Sequence, residues 1–147
     1  MDLLEVRVNI GICGAEDTVR LLVNGRDLVE LIGDFEREFA ADLAGSYGLL
    51  PAVDVLPPAR HFLGEPDPSY ASDDGHTMLL GCECGEPGCW PLQARIDATE
   101  RTVIWREFQQ PHRPGWDYAR FGPFVFDRVQ YDASLAHAAG KLRAPEA

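Results

Sequence analysis

The sequence predicts a single α+β domain over residues 1–147, with a mostly antiparallel sheet packed against two helices. Three patterns support this fold class: an apolar and polar alternation near the N-terminus, one stretch with helical spacing, and short apolar runs separated by turns in the second half. A length of 147 residues with 46% hydrophobic side chains is enough to build one core without staples.

The first predicted element is an N-terminal β-hairpin. Apolar and polar residues alternate from Leu4 to Ile12, which is typical of a strand with one buried face. Residues 14–17 have the composition of a turn, and the run at 18–23 predicts a second strand that ends at an Asn-Gly pair. We expect Cys13, at the end of the first strand, to belong to the core.

A helix and a long connection follow the hairpin. Segment 27–43 predicts an amphipathic helix that covers the sheet, because its apolar residues recur at steps of three and four: Leu28, Leu31, Ile32, Phe35, Phe39 and Leu43. Residues 44–76 contain five prolines and several glycines, which excludes a long regular element. This segment is too rich in large apolar residues for a solvated tether, so we predict an ordered connection rather than a linker between domains.

The second half of the chain predicts a three-stranded antiparallel meander, from apolar runs at 77–80, 91–96 and 102–108. A polar loop with three prolines follows at 109–123, and then a short apolar run at 124–126. Asp127 is a good N-cap for a last helix. The buried face of that helix is expected to comprise Val129, Tyr131, Leu135 and Ala138.

The formal net charge of −11 is the unusual feature of the composition. Residues 1–94 hold five arginines against 17 acidic residues, whereas residues 95–147 hold eight basic and seven acidic residues. This balance disfavours binding to nucleic acid, which requires Lys and Arg against the phosphates. It suits a basic protein partner, although charge of this kind also serves solubility alone.

The sequence also predicts a soluble cytoplasmic location. Acidic residues stand near the N-terminus where a secretory signal would be basic, and no apolar run reaches the roughly 20 residues that cross a bilayer. Cysteines stay reduced in the cytosol, which favours a metal site or a reactive thiol over a disulfide.

Three of the four cysteines, Cys82, Cys84 and Cys89, lie within eight residues of a glycine-rich stretch. Zinc in structural sites takes four thiolate or imidazole ligands in a tetrahedron, and we predict a zinc site with His112 as the fourth ligand. If the strands before and after residues 98–100 form a hairpin, His112 lies close to Cys89 in space. The competing interpretation is a tight turn whose thiols only pack.

An alternative function uses the same loop as a cysteine-dependent enzyme or thiol redox protein, with His112 or Arg113 favouring the thiolate. Three thiols are more than a nucleophile needs, and Glu83 and Glu86 would raise the pKa of a nearby thiol. The sequence contains neither a C-x-x-C redox pair nor a P-loop, a G-x-S-x-G or an H-E-x-x-H motif. These observations favour a non-catalytic protein over an enzyme.

The loop after the meander combines aromatic and arginine side chains, a mixture typical of protein-binding surfaces. The candidate partner-binding residues are Arg113, Trp116, Tyr118, Arg120 and Phe121. The alternative is that the aromatic residues fold the loop onto the sheet, since they bury large areas.

The second half of the chain contains the motif GCxCGExGCWPL, followed by QPHR, WDY and FGPF. In this pattern it resembles a family of uncharacterised bacterial proteins. The resemblance covers roughly the C-terminal half and implies no activity or residue roles. We therefore expect a non-catalytic zinc protein that presents a protein-binding surface, as an immunity or adaptor protein does.

Overall fold

Nine strands and three helices make up the computed structural model, which describes residues 1–142. The strands are β1 (Leu4–Asn9), β2 (Thr18–Val23), β3 (Arg26–Asp27), β4 (Tyr47–Gly48), β5 (Leu50–Pro51), β6 (Thr77–Cys82), β7 (Leu92–Ala98), β8 (Thr102–Gln109) and β9 (Phe124–Asp127). The helices are α1 (Leu28–Glu36), α2 (Ala52–Val55) and α3 (Arg128–Ala139). Residues 143–147 of the predicted domain lie outside this description.

The strands form two antiparallel sheets. The N-terminal sheet has the order β1-β2-β3, and β5 also pairs with β2. The C-terminal sheet has the order β4-β6-β7-β8-β9. The predicted α+β class with mostly antiparallel strands is confirmed. The predicted meander corresponds to β6, β7 and β8, and the two edge strands enlarge it.

The N-terminal hairpin forms as predicted, but its first strand stops at Asn9, which pairs with Thr18. Beyond this point β2 offers no partner, so Ile10 and Ile12 remain 52% and 77% exposed despite the continuing alternation. The expectation that Cys13 belongs to the core is wrong. Its backbone turns with a φ of 54°, and its side chain is exposed.

Helix α1 is shorter than the predicted segment 27–43. The Asp27 side chain caps its N-terminus by accepting a hydrogen bond from the Val29 backbone N–H. The helix ends at Glu36, and the chain then turns back so that Gly45, with a φ of 73°, packs against Gly33. A Cβ atom on Gly45 would lie 3.1 Å from the Gly33 Cα atom, so this close approach requires glycine.

Helix α3 begins where the sequence places it. The Asp127 side chain accepts a hydrogen bond from the Gln130 backbone N–H. Tyr131, Leu135 and Ala138 are buried as expected, but Val129 is 77% exposed because it lies on the solvent face of the first turn. A third helix, the single turn α2, belongs to the proline-rich connection and was not predicted.

One cluster of buried side chains extends across both sheets, and its largest fully buried members are Trp105, Tyr131, Phe62 and Phe126. The Trp105 Nε1–H donates to the Tyr131 hydroxyl over 3.0 Å, and that hydroxyl donates to the Phe62 carbonyl. The connection 44–76 thereby contacts α3 directly and is linked to β8 through the Tyr131 hydroxyl. No helix within residues 1–142 is long and apolar enough to span a membrane.

Candidate metal centre

The three clustered cysteines lie on the loop between β6 and β7. Cys82 is the last residue of β6, and Cys89 ends a short 3₁₀ turn that begins at Pro87. The Gly85 N–H donates to the Cys82 carbonyl (3.1 Å), and the Cys89 N–H donates to the Glu86 carbonyl (3.0 Å). Gly85 has a φ of 95°, a conformation that allows the chain to reverse within this short span.

Strand β4 supports the base of this loop. Tyr47 and Gly48 pair with Cys82 and Gly81, and the Glu83 N–H donates to the Ser46 carbonyl over 3.3 Å. A Cβ atom on Gly48 would lie only 2.5 Å from the Cys82 carbonyl oxygen. The close backbone packing fixes the position from which the loop starts.

The Sγ atoms of Cys82, Cys84 and Cys89 all lie within 4.8 Å of one another. The Cys84 N–H donates to the Cys82 Sγ atom over 3.5 Å, and all four cysteines of the chain are free. Cys84 and Cys89 are exposed, and Cys82 is half-buried. The three thiols are therefore close enough to hold a metal ion.

Ionisation of all three thiols at once is unfavourable, because three thiolate charges would lie close together and repel one another. The pKa of Cys84 is lowered, first by a hydrogen bond from the Glu86 backbone and then by hydrogen bonds from the neighbouring thiols. The pKa of Cys89 is raised to about 11, because it donates to Cys84 and Cys82 and faces their negative charge. Three thiolates at this distance require a nearby cation.

His112, the predicted fourth ligand, lies beside the loop but outside the three-thiol group. Its Nε2 atom is 3.1 Å from the Gly88 carbonyl oxygen, and since a carbonyl only accepts, Nε2 carries the hydrogen. The imidazole ring stacks on Trp90 at 6.2 Å with an interplanar angle of 18°. The role of His112 as a metal ligand stays a prediction.

The structure separates the predicted partner-binding residues into two groups. Tyr118 and Phe121 are buried and contact Phe35, so they hold the loop onto the domain and are removed from the predicted binding surface. Trp116 is half-buried and stacks on Phe39. The exposed members are Arg113, above the Trp90 ring, and Arg120, near Glu38.

Sequence reasoning missed a buried acid next to this region. The Glu36 carboxylate is fully buried and accepts hydrogen bonds from the Tyr47 hydroxyl, the Tyr118 hydroxyl and the Gly45 N–H. A usable signal was present: Glu36 follows Leu28 and Ile32 at four-residue steps, which places it on the buried face of α1.

No family model, no curated protein and no solved structure matches the chain. The chemical properties of the site are therefore those that its own residues and their geometry provide. The loop offers three sulfur ligands on a backbone that β4 holds in place, with an imidazole in the adjacent segment.

Proposed function

We propose that the protein is non-catalytic, binds one Zn²⁺ through Cys82, Cys84, Cys89 and His112, and uses the metal-bound loop within a protein-binding surface. The observation that carries this proposal is the convergence of three sulfurs within 4.8 Å. Sulfurs at about 2.3 Å from a tetrahedral zinc lie about 3.8 Å apart. Closing the remaining gap requires movements of about 1 Å in an exposed turn.

Charge supports a metal at this position. The raised pKa of Cys89 reflects the two neighbouring thiols, and a bound cation offsets that repulsion by stabilising all three thiolates. The protein carries a formal net charge of −11, so a dication on this loop also reduces its overall acidity. The Cys84 N–H that points at the Cys82 sulfur is the kind of donor that stabilises a ligating thiolate.

The fourth ligand requires a rotation of His112. Its Nε2–H now donates to the Gly88 carbonyl, which lies next to Cys89 in the same loop. In the proposed holo form the imidazole gives up this bond and one of its nitrogens completes the tetrahedron. The ring is exposed, so the rotation displaces only solvent and the stacking contact with Trp90.

The proposed partner is a basic protein, in the manner of an immunity or adaptor protein. The zinc loop itself exposes Glu83 and Glu86, and the acidic residues concentrate in residues 1–94. Arg113 and Trp116 contact Trp90 beside the loop, and Arg120 pairs with Glu38. A negative field of this kind speeds association with a basic protein. We place the protein in the cytoplasm, because reducing conditions keep three thiols available as ligands.

Metal analysis tests the zinc site. Protein prepared without an affinity tag and without added metal is expected to contain about one zinc per chain by mass spectrometry of elements. Cys84→Ser and Cys89→Ser are expected to lose most of the zinc. Cys13→Ser is the matched control, because Cys13 is also an exposed free thiol but lies far from the loop in sequence.

Zinc below about 0.1 equivalent, with four thiols that react freely, overturns the metal site. The fourth ligand is tested separately with His112→Gln, which is expected to weaken zinc binding by about 10- to 100-fold in competition with a chromogenic chelator. His137→Gln, an exposed histidine on α3, is its control. Equal affinities of these two variants would remove His112 from the ligand set.

One observation favours a second function, a reactive thiol. Cys84 is exposed, and the Glu86 backbone hydrogen bond lowers its pKa. If the protein is a cysteine-dependent enzyme or redox protein, an alkylating reagent is expected to modify Cys84 of the metal-free chain about tenfold faster than Cys13 at neutral pH. Equal alkylation rates for the two cysteines would exclude this alternative.

A further inference from the structure

A pocket of about 300 Å³ lies beside the metal loop, between the turn at residues 72–76 and the segment 109–116. The residues that line it include one acid, one base and one aromatic residue, namely Asp74, Arg113 and Trp116. The volume is at the lower end of the range for small-molecule sites, roughly 300–1,000 Å³. None of the predicted metal ligands lines this pocket.

The Asp74 carboxylate is held by three neighbours. Its Oδ1 atom accepts from the Ser72 hydroxyl and lies 2.8 Å from His76 Nδ1, and its Oδ2 atom accepts from the Gln109 amide at 3.3 Å. These contacts, the Ser72 bond first, lower the pKa of Asp74 to about 2. The Oδ2 atom accepts one long hydrogen bond, from the neutral Gln109 amide, so it has room to accept a hydrogen bond from a further donor.

The Arg113 guanidinium is fixed without being neutralised. It lies 5.0 Å from the centre of the Trp90 ring, and its Nη1–H donates to the His112 carbonyl over 2.8 Å. Nine other arginines of the described chain pair with a carboxylate. Within residues 1–142, Arg113 has no carboxylate partner, although the protein is strongly acidic.

Successive turns preorganise this side of the pocket. The Arg113 N–H donates to the Gln110 carbonyl (2.9 Å), and the Trp116 N–H donates to the Arg113 carbonyl (3.0 Å). The buried Gln110 side chain donates to the Pro91 carbonyl (3.0 Å) and accepts from the His112 N–H. The backbone on this side of the pocket is therefore ordered before a ligand binds, which reduces the entropy cost of binding.

We propose that this pocket binds a zwitterionic α-amino acid with an apolar side chain. Its carboxylate pairs with Arg113, its ammonium group donates to Asp74 Oδ2, and its side chain packs on Trp116. An acidic and a basic residue that line the same pocket complement a zwitterion, whereas a ligand with a single charge leaves one of them unpaired. This binding function goes beyond the zinc site and does not require it.

Calorimetric titration with three probes tests the proposal on the full chain as isolated. L-phenylalanine is expected to bind saturably at one site. Phenethylamine lacks the carboxylate and 3-phenylpropionate lacks the ammonium group, so each is expected to bind at least about tenfold more weakly. Absence of saturable phenylalanine binding, or equal binding of all three probes, overturns the proposal.

Two variants assign the contacts. Arg113→Gln is expected to weaken phenylalanine at least about tenfold and to leave phenethylamine unchanged, while Asp74→Asn weakens phenylalanine and phenethylamine but not 3-phenylpropionate. Arg101→Gln is the matched control, because Arg101 lies outside the pocket and also shows no carboxylate partner within residues 1–142. A uniform effect of either pocket variant on all probes, or equal effects of Arg113→Gln and Arg101→Gln, contradicts the assignment.

Discussion

At the residue scale, Glu36 connects three separate parts of the fold. Its carboxylate at the end of α1 accepts from Tyr47 on β4 and from Tyr118 in the loop before β9. Burial first, and the Glu36 charge in addition, raise the pKa of both tyrosines above the ordinary value, so both remain protonated donors. A buried carboxylate is tolerated when such donors satisfy it.

Replacing Glu36 by Gln is expected to destabilise the protein by about 1–3 kcal/mol in urea unfolding. The amide keeps the size of the side chain, but its NH₂ group faces donors that need an acceptor. Glu38→Gln is the matched control, because Glu38 is exposed and its pair with Arg120 spans 3.6 Å. The control is expected to change stability by less than about 0.5 kcal/mol, and equal losses would refute the role of Glu36.

His61 provides a prediction for pH. It is buried, its Nε2–H donates to the Met78 carbonyl over 2.6 Å, and its Nδ1 atom has no partner within the described chain. Burial lowers the pKa of His61 from 6.5 to about 4. Protonation at Nδ1 would create a buried N–H without an acceptor, so the fold holds the neutral form.

The pKa of His61 is lower in the folded state than in the unfolded state. The stability gained from the buried neutral imidazole is therefore fully present above pH 6.5 and is lost as the pH falls toward 4. We expect a loss of about 3 kcal/mol over that window, measured by urea unfolding at a series of pH values. His61→Phe is expected to reduce the fall in the free energy of unfolding between pH 6.5 and 4. His137→Gln, on the exposed face of α3, is expected to leave that fall unchanged. If the free energy of unfolding of His61→Phe depends on pH as strongly as that of the wild type, a buried neutral imidazole at His61 is not the cause of the acid destabilisation.

At the element scale, the metal loop depends on strand β4. A Cβ atom on Gly48 would lie 2.5 Å from the Cys82 carbonyl oxygen, which is backbone and cannot move aside without shifting β6. Gly48→Ala is therefore expected to cost about 1–3 kcal/mol and to lower the zinc content. Gly115→Ala is the control, because no heavy atom lies within 4 Å of its added methyl group. Unchanged zinc content in Gly48→Ala would show that zinc binding by the loop does not depend on β4.

The elements that the sequence predicted well are those with their own periodicity or their own turn. The hairpin and the meander have both, and the three cysteines are close together because eight residues of chain keep them so. Strands β4 and β5 have two residues each, so only their partners define them. The contact of Glu36 with Tyr118 joins residues 82 positions apart, and no local pattern can indicate such a pair.

At the scale of the whole molecule, residues near the N-terminus join the two sheets. The Asp2 N–H donates to the Val125 carbonyl (2.8 Å), and its Oδ2 atom accepts from the Val125 N–H (2.7 Å). Its Oδ1 atom accepts from the Asn24 side chain over 2.9 Å, next to the β2–β3 turn. One carboxylate thus connects the edge strand β9 to the N-terminal hairpin.

Asp2→Ala is expected to destabilise the protein by about 1–3 kcal/mol, because the Val125 N–H loses its acceptor on a half-buried strand edge. If Asp2 joins the sheets, hydrogen exchange in the variant should accelerate in both β1 and β9. The matched control is Asp42→Ala, which removes an exposed carboxylate from the turns after α1 and should alter neither strand. Faster exchange confined to β9 would show that Asp2 protects only the β9 edge, and that other contacts hold the N-terminal hairpin to the second sheet.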